Sequence, residues 1–187
     1  MELYNGRPSD EENRLQKEIK VYDLLDELQI SFERVDHEEA DTMEICSKID
    51  SVIGTDICKN LFLCNRQKTD FYLLMMPSNK PFKTKDITKQ LNCSRLSFSG
   101  AEYMEQYLNI KPGSVSVLGL MNDNENNVKL VIDKEVIESD TIGCHPCVNT
   151  SSLKIKTNDI LNKFLPAVHH DPIIVELPKY EEDTLQF

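Results

Sequence analysis

The chain has 187 residues and a formal net charge of -11 at pH 7. This length is enough for one domain with its own hydrophobic core. Proteins that bind nucleic acid usually carry a surplus of basic residues, so the acidic net charge taken alone argues against a nucleic-acid partner. We expect neither a membrane span nor a secretory leader, because no apolar run approaches about 20 residues, and the chain is expected to be cytoplasmic with no membrane partner.

The charge is distributed unevenly along the chain. From Lys59 to Arg95 there are eight basic residues against only two acidic ones, Asp70 and Asp86. Such a block is typical of a local docking face for an anion or RNA, but also of an ordinary solvated loop and helix. Charge alone does not distinguish these two interpretations.

The N-terminal part predicts an arm, a helix and a strand. Residues 1–12 lack apolar periodicity and are expected to form a flexible arm. From Asn13 to Leu28 apolar side chains recur at steps of three and four, which predicts a helix with one buried face. Gln29 to Val35 alternates apolar and polar side chains, the pattern of a strand with one face in the core.

A second helix is predicted from Thr42 to about Ile53. Asp41 is placed to accept backbone N–H groups at its start, and Glu44 is placed to reach back, which is the pattern of a capping box. Gly54 follows the last apolar residue, where helices commonly end.

The centre of the chain predicts a β-hairpin. Two apolar runs, Cys58 to Cys64 and Asp70 to Met76, are separated by a short polar turn. Pro77 to Pro81 ends the second run, and Lys83 to Leu91 predicts a short basic helix. The remaining predictions are a strand at Ser94–Ser99, a helix at Ala101–Leu108, an apolar strand or turn at Ser114–Met121, strands at Val128–Ile132 and Ser151–Ile155, and a helix at Asn158–Leu165 capped by Thr157 or Asn158.

Helices interleaved with strands that mostly pair locally predict an α+β fold. We expect one domain over residues 13–166, with a mixed, mostly antiparallel sheet surrounded by helices. Residues 167–187 contain Pro172, Pro178 and the acidic run Glu181 to Asp183, and are expected to form an extended or disordered acidic tail.

The densest group of reactive side chains is the stretch from Gly143 to Asn149, which suggests a site in a turn. It contains a glycine, a histidine, a proline, two cysteines and an asparagine within seven residues. The Cys144–Cys147 spacing permits dithiol redox chemistry, but it precedes a run of poor helix propensity, whereas the motif of a thioredoxin opens a helix. A second ligand pair for zinc is missing, and the six cysteines are scattered, so we expect reduced thiols and no metal.

Two further residues have open interpretations. Gly143 and Pro146 bracket His145, whose ring either orients a substrate or makes a structural hydrogen bond. Lys59 begins an apolar strand, where its ammonium either functions in a site or extends to water. Sequence motifs for a serine nucleophile, a phosphate-binding loop or a dinucleotide are missing. The sequence is still compatible with an ester hydrolysis that needs no protein nucleophile, in which water attacks directly and backbone amides hold the oxyanion.

Several segments together resemble the YbaK/ProX family, the freestanding relatives of the editing domain inserted in bacterial prolyl-tRNA synthetases. In order, they are Leu24 to Phe32, His37, Thr42 to Glu44, Lys59 to Leu63, Pro112 to Ser116 and His145 to Asn149. The chain most resembles the alanyl-tRNA(Pro) deacylase branch. Val117 departs from the proline usual in the family, and the family does not require Cys144 or Cys147.

The resemblance implies a trans-editing hydrolase that removes alanine mischarged onto proline tRNA, without a cofactor. It implies catalytic roles for Lys59 and His145, with Lys59 engaging the tRNA end. The substrate-binding residues that it implies are Thr42, Asn60, Gly143, Cys144, Pro146, Val148 and Asn149.

The implied partner is an aminoacyl-tRNA, with prolyl-tRNA synthetase as a further candidate partner. The basic block then gains a purpose, because Lys80, Lys83, Lys85 and Lys89 are placed to contact acceptor-stem phosphates. Two alternatives remain from other classes. One is a non-catalytic regulatory module that binds aminoacyl-tRNA or an amino acid, and the other is a thiol sensor that uses Cys144 and Cys147.

Overall fold

The computed structural model describes residues 1–40 and 43–180, with only the backbone of Met43. In chain order the elements are β1 (Leu3–Asn5), α1 (Gln16–Glu27), β2 (Phe32–Asp36), α2 (Met43–Ile53), β3 (Lys59–Cys64), β4 (Phe71–Met76), α3 (Thr84–Leu91), β5 (Ser97–Phe98), α4 (Ala101–Leu108), a 3-10 helix (Val117–Asn122), β6 (Val128–Asp133), α5 (Lys134–Glu138), β7 (Thr141–Cys144), β8 (Ser151–Lys156), α6 (residues 157–167) and β9 (Ile173–Val175). Within α6, Ile160–Phe164 forms a π-helical turn.

The strands form two sheets. One is fully antiparallel, in the order β1-β2-β8-β7. The other has the order β5-β3-β4-β6-β9, and is parallel only where β6 contacts β4 and β9. The predicted α+β class and the mostly antiparallel pairing are confirmed, although the strands divide between two sheets rather than one.

Strand β4 is the centre of the five-stranded sheet and is buried along its whole length. Phe71, Leu73 and Met75 face the main core, while the alternate residues face a smaller apolar cluster under α3. A strand covered on both faces has no polar positions, which is why its sequence is continuously apolar.

The main core packs helices against both sheets. Tyr22 of α1 is fully buried and stacks on Phe32 of β2, with ring centroids 5.6 Å apart. Val21 and Leu25 are buried on the same face of α1, as the sequence spacing predicts. Gly54 ends α2 with a φ of +69°, a conformation that glycine adopts without steric cost.

The expectation of a flexible arm at residues 1–12 is wrong for residues 3–5, which form a strand. Leu3–Asn5 forms the edge strand β1, with Tyr4 opposite Arg34 of β2. The Arg7 guanidinium binds Asp26 of α1 at 2.9 Å. Three residues are too few to show a strand period in sequence, and their pairing depends on the exposed edge of β2.

Residues 173–177 of the predicted extended or disordered tail are ordered against the sheet. Ile173–Val175 forms β9 in parallel with β6, and Leu177 is 5% exposed. The acidic run Glu181 to Asp183 lies outside the described residues, as do Asp41 and its predicted cap.

The short elements differ most from the predictions. Residues Ser114 to Met121 form neither a strand nor a simple turn, because Ser116 Oγ accepts from Leu118 N and starts the 3-10 helix. Helix α5 was not predicted, and Asp133 caps it by accepting from Glu135 N at 2.9 Å. The predicted cap of α6 is wrong, since Lys156 occupies the N-cap position without a side-chain hydrogen bond.

Across residues 1–40 and 43–180, none of the helices is both long enough and apolar enough to cross a membrane.

The two sheets meet through the backbone at Gly143 of β7. Ile57 forms an isolated parallel bridge with Gly143, and Cys58 N donates to Gly143 O at 3.0 Å. A Cβ on Gly143 would lie 2.7 Å from Asp56 O and 2.9 Å from Ile57 Cα. Only glycine lets these two backbone segments approach this closely.

We therefore predict that Gly143→Ala lowers the free energy of unfolding by about 1 to 3 kcal/mol, because backbone atoms must move apart. Urea denaturation followed by circular dichroism measures this. The matched control is Gly100→Ala, for which the three atoms nearest the added Cβ all belong to the flexible Glu102 side chain, so this substitution should cost less. Equal losses in the two variants would contradict the steric account.

Candidate functional site

The meeting point of β3 and β7 brings together the two stretches singled out in the sequence. Because Cys58 is bonded to Gly143, the next residue, Lys59, begins β3 directly beside the strand that leads into the Gly143–Asn149 turn. The predicted turn is partly a strand, since Gly143 and Cys144 belong to β7. Pro146 and Val148 are buried in the turn that follows.

Lys59 and Asn60 point to opposite faces of β3, as successive strand residues do. The half-buried Lys59 donates from its ammonium to Lys80 O at 2.7 Å, on the face that carries Leu61 and Leu63. Among the described residues this is the one hydrogen bond of the ammonium, which leaves two of its three N–H donors for a ligand.

The carboxamide of Asn60 lies on the face of the main core. Its Nδ2 donates to Cys58 O at 2.9 Å. Its Oδ1 is buried and makes no hydrogen bond to any residue that the structure describes. A buried acceptor without a partner is uncommon in native proteins, and such an atom at a candidate site is available to a ligand donor.

The imidazole of His145 has a defined protonation pattern. Its Nδ1 lies 2.9 Å from Ser151 O, which can only accept, so Nδ1 carries the proton and Nε2 is the acceptor nitrogen. Burial lowers the pKa of His145 below its ordinary value. The ring is therefore neutral at neutral pH, with a lone pair on Nε2. The Lys59 ammonium is hydrogen-bonded to Lys80 O and the His145 ring to Ser151 O, so the two side chains do not share a hydrogen-bond partner.

A second histidine stands beside His145. The rings of His37 and His145 are edge to face, with centroids 6.1 Å apart, and His37 Nε2 lies 2.9 Å from Ser152 Oγ. Ser152 Oγ is in turn 3.4 Å from His145 Nδ1. This pairing joins residues 115 positions apart, so local sequence patterns do not indicate it.

The thiols of Cys144 and Cys147 are buried and unoxidised. Burial raises the pKa of Cys147 to about 12, and burial together with the nearby thiols raises that of Cys144 further. Both are protonated at neutral pH, whereas nucleophilic or redox chemistry requires the thiolate. This environment argues against the thiol sensor.

A third segment, the Pro112–Ser116 loop, also packs against the turn. The Ser116 side chain lies near the thiol of Cys144, and by itself it would lower the pKa of that thiol. A Cβ on Gly113, whose φ is +88°, would lie 3.5 Å from Asn149 Nδ2. The start of β3, this loop and the Gly143–Asn149 turn therefore converge. Thr42 lies outside the described residues.

The four predicted tRNA-contacting lysines have different environments. Lys80 is 1% exposed and binds Asp133 at 2.9 Å, so the expectation that it contacts phosphate is wrong. Lys83, Lys85 and Lys89 are exposed on or just before α3, and Lys83 Nζ lies 3.2 Å from the ring centroid of Tyr180.

A cavity of about 240 Å³ opens beside the junction of β3 and β7. Its described lining includes the carboxylates of Asp56, Glu135 and Asp140. Carboxylates repel a polyanion, so this cavity suits the end of a tRNA poorly. In the described parts of the chain, no cluster of three His, Cys, Asp or Glu side chains could hold a metal ion.

Comparisons with known proteins locate these residues within a family. A sequence model of the aminoacyl-tRNA editing domain matches residues 37–163. The chain is 29% identical over 136 residues to the prolyl-tRNA editing protein ProX of Acetoanaerobium sticklandii, covering 73% of this chain and 83% of that protein. It is 30% identical over 156 residues to prolyl-tRNA synthetase associated domain-containing protein 1 of Mus musculus, covering 81% and 90%.

The fold agrees with these sequence matches. A crystal structure of a proposed trans-editing enzyme for prolyl tRNA synthetase superposes with a TM-score of 0.65 at 9% identity. The superposition covers 88% of this chain and 99% of that one. At this identity the likeness shows a shared fold.

The two histidines predict a pH dependence of stability. Burial lowers the pKa of both His37 and His145, so between these lowered values and about 6.5 the unfolded state binds more protons. Their contribution to stability is complete above about pH 6.5 and is lost as the pH falls below it.

Urea denaturation from about pH 7 to about pH 5 measures this loss. The double variant His37→Gln/His145→Gln should lose less stability over this interval than the wild type, because its side chains do not titrate. An identical loss in both proteins would refute the assignment.

Proposed function

We propose, from the premise that this chain belongs to the aminoacyl-tRNA editing domain family, that it hydrolyses the ester of a mischarged aminoacyl-tRNA. The finer proposal is that the substrate is alanine on proline tRNA and that the protein edits in trans. The observation that supports it most is the convergence of Lys59, Asn60, His145 and the Gly143–Asn149 turn at one junction.

Water is the proposed nucleophile. The thiols nearest the junction are protonated, since burial raises the pKa of Cys58 and Cys147 to about 12, so neither is set up to attack an ester. His145 Nε2 is the acceptor that would orient a water molecule or a ribose hydroxyl beside the ester. Backbone N–H groups of the turn would hold the developing oxyanion, a contribution that needs no side chain.

Lys59 and Asn60 would hold the two ends of the reacting group. The bond to Lys80 O uses one of the three N–H donors of the Lys59 ammonium, and no other described residue accepts from it, so it would bind a phosphate near the tRNA terminus. Asn60 Oδ1 is buried without a partner in the described chain, and it would accept from the substrate α-ammonium. A substrate lying over the end of β3 can touch both faces of the strand.

The tRNA stem would bind along α3. Lys83, Lys85 and Lys89 are exposed there and would contact phosphates, which supplies affinity without reading sequence. Prolyl-tRNA synthetase is a proposed partner, because the name of the mouse relative describes a prolyl-tRNA synthetase associated domain.

A deacylation panel tests the function. The full chain is incubated with alanyl, cysteinyl, seryl and prolyl esters of proline tRNA, and released amino acid is measured. The proposal expects turnover of at least the alanyl ester. Tight tRNA binding without turnover of any ester would favour the regulatory binding module instead.

We predict that Lys59→Ala lowers kcat/KM for the alanyl ester about 100-fold or more, because an unplaced substrate loses the benefit of orientation. Folding should be nearly unchanged, since a half-buried lysine at a strand end contributes little packing. Single-turnover deacylation measures the rate. The control is Lys134→Ala, whose side chain is 52% exposed and pairs only with Glu138 among the contacts described. Near-normal turnover by a folded Lys59→Ala variant would remove Lys59 from the mechanism.

Selectivity for alanine should follow from size. A synthetase pocket gains only about 1 to 3 kcal/mol from each extra methylene, so it cannot fully reject alanine, which is smaller than proline. Correction then needs a smaller second pocket. Pro146 and Val148 are buried in the turn, which would form one wall of this pocket. The ring of proline would therefore overlap packed atoms.

The alanyl ester should therefore be cleaved at least about tenfold faster than the prolyl ester at equal tRNA concentration, since about 1.4 kcal/mol of overlap corresponds to a factor of ten. Competition between the two esters in one reaction measures the ratio directly. Equal rates would rule out selectivity by size but would not contradict the proposed hydrolase activity.

A further inference from the structure

Lys80 and Asp133 form an ion pair that is almost completely removed from water. Their side chains are 1% and 0% exposed, and the ammonium lies 3.0 and 2.9 Å from the two carboxylate oxygens. Lys80 Nζ also donates to Leu177 O at 2.8 Å and lies 3.0 Å from Glu135 Oε1. Burial alone would lower the pKa of Lys80, but its bonds to Asp133 and Glu135 outweigh that effect and raise it.

The carboxylate is equally well satisfied. Besides Lys80, Asp133 accepts from Glu135 N at 2.9 Å and from Leu177 N at 3.1 Å. A buried ion pair contributes little net stability compared with apolar residues of the same volume, because both charges must be desolvated. Its presence is therefore better explained by the geometry that it fixes.

The geometry that it fixes includes the ammonium of Lys59. Lys80 ends the turn after β4, where its N–H donates to Pro77 O at 3.2 Å. Its carbonyl accepts from Lys59 Nζ at 2.7 Å. The backbone of Lys80 thus holds Lys59, while the side chain of Lys80 anchors that backbone to β6 through Asp133.

The C-terminal segment closes over the pair. The main chain of Leu177 binds both members, through its N–H to Asp133 and its carbonyl to Lys80. The neighbouring Glu176 exchanges two hydrogen bonds with the Gln90 side chain of α3, at 2.7 and 2.8 Å. Residues 176–177 thereby keep water away from the buried charges.

We propose that Lys80 and Asp133 are positioning residues, which set the place of the Lys59 ammonium in the deacylation site through the Lys80 carbonyl. This inference rests on the proposed role of Lys59. Residues 176–177 complete this arrangement, because they keep water away from the ion pair. Neither Lys80 nor Asp133 touches the substrate.

The test replaces the pair with neutral residues of similar shape, Lys80→Met/Asp133→Asn, so that no charge is left buried alone. The matched control is Lys129→Met/Asp70→Asn, which removes an ion pair of 2.8 Å on the same sheet whose side chains are 49% and 43% exposed. Both full-length variants are compared with the wild type by two readouts. One is kcat and KM for alanyl-tRNA(Pro), and the other is the rate at which acetic anhydride acetylates Lys59, measured by mass spectrometry.

The Lys80/Asp133 variant should lower kcat about tenfold or more with KM changed less, because a displaced group costs orientation rather than affinity. The same substitutions should have no further effect in a Lys59→Ala background, since they act through Lys59. Acetylation of Lys59 should become several-fold faster, and the control should resemble the wild type in every readout. Unchanged acetylation and unchanged kcat in a folded variant would overturn the proposal.

The acetylation readout does not depend on catalysis. If the wild type deacylates no ester, the proposed function fails, and the labelling rate still decides whether the pair positions Lys59. If the double variant does not fold, Gln90→Ala removes the two surface hydrogen bonds to Glu176 and leaves both charges in place. A faster acetylation of Lys59 in Gln90→Ala supports this arrangement, and an unchanged rate contradicts it.

Discussion

The close approach of Gly143 to Asp56 and Ile57 is the contact on which the candidate site depends. Any side chain at this position would meet backbone atoms at 2.7 to 2.9 Å, and backbone atoms cannot move aside cheaply. The contact joins the antiparallel sheet to the mixed one at the residue before Cys58. Lys59 and Asn60 at the start of β3 are therefore held beside the turn that carries His145.

Three polar side chains near this contact have defined hydrogen-bonding states. His145 is neutral, with its proton fixed on Nδ1 by Ser151 O, and Asn60 Oδ1 is a buried acceptor without a partner in the described chain. Lys59 is held by the carbonyl of a residue that is itself anchored by buried charges. Such preorganisation lowers the reorganisation that a reaction requires, and it suits a hydrolysis in which water attacks and the protein supplies position and electrostatics.

The sequence predicted what local periodicity determines and missed what distant partners determine. The spacing of Val21, Tyr22 and Leu25 defined α1, and the apolar runs around β3 and β4 defined the hairpin. Lys80 looked like one more surface lysine, because its partner Asp133 is 53 positions away and Leu177 is 97 away. The pairing of His37 with Ser152, which spans 115 positions, was invisible for the same reason.

The substrate end is proposed to bind where the start of β3 meets the Gly143–Asn149 turn. The most direct measurement is an NMR titration of the labelled full chain with an adenosine that carries alanine through a 3′-amide, which cannot be hydrolysed. We expect the largest chemical-shift changes at Asn60, His145 and their neighbours in the turn. Changes confined to the acidic cavity lined by Asp56, Glu135 and Asp140 would contradict it.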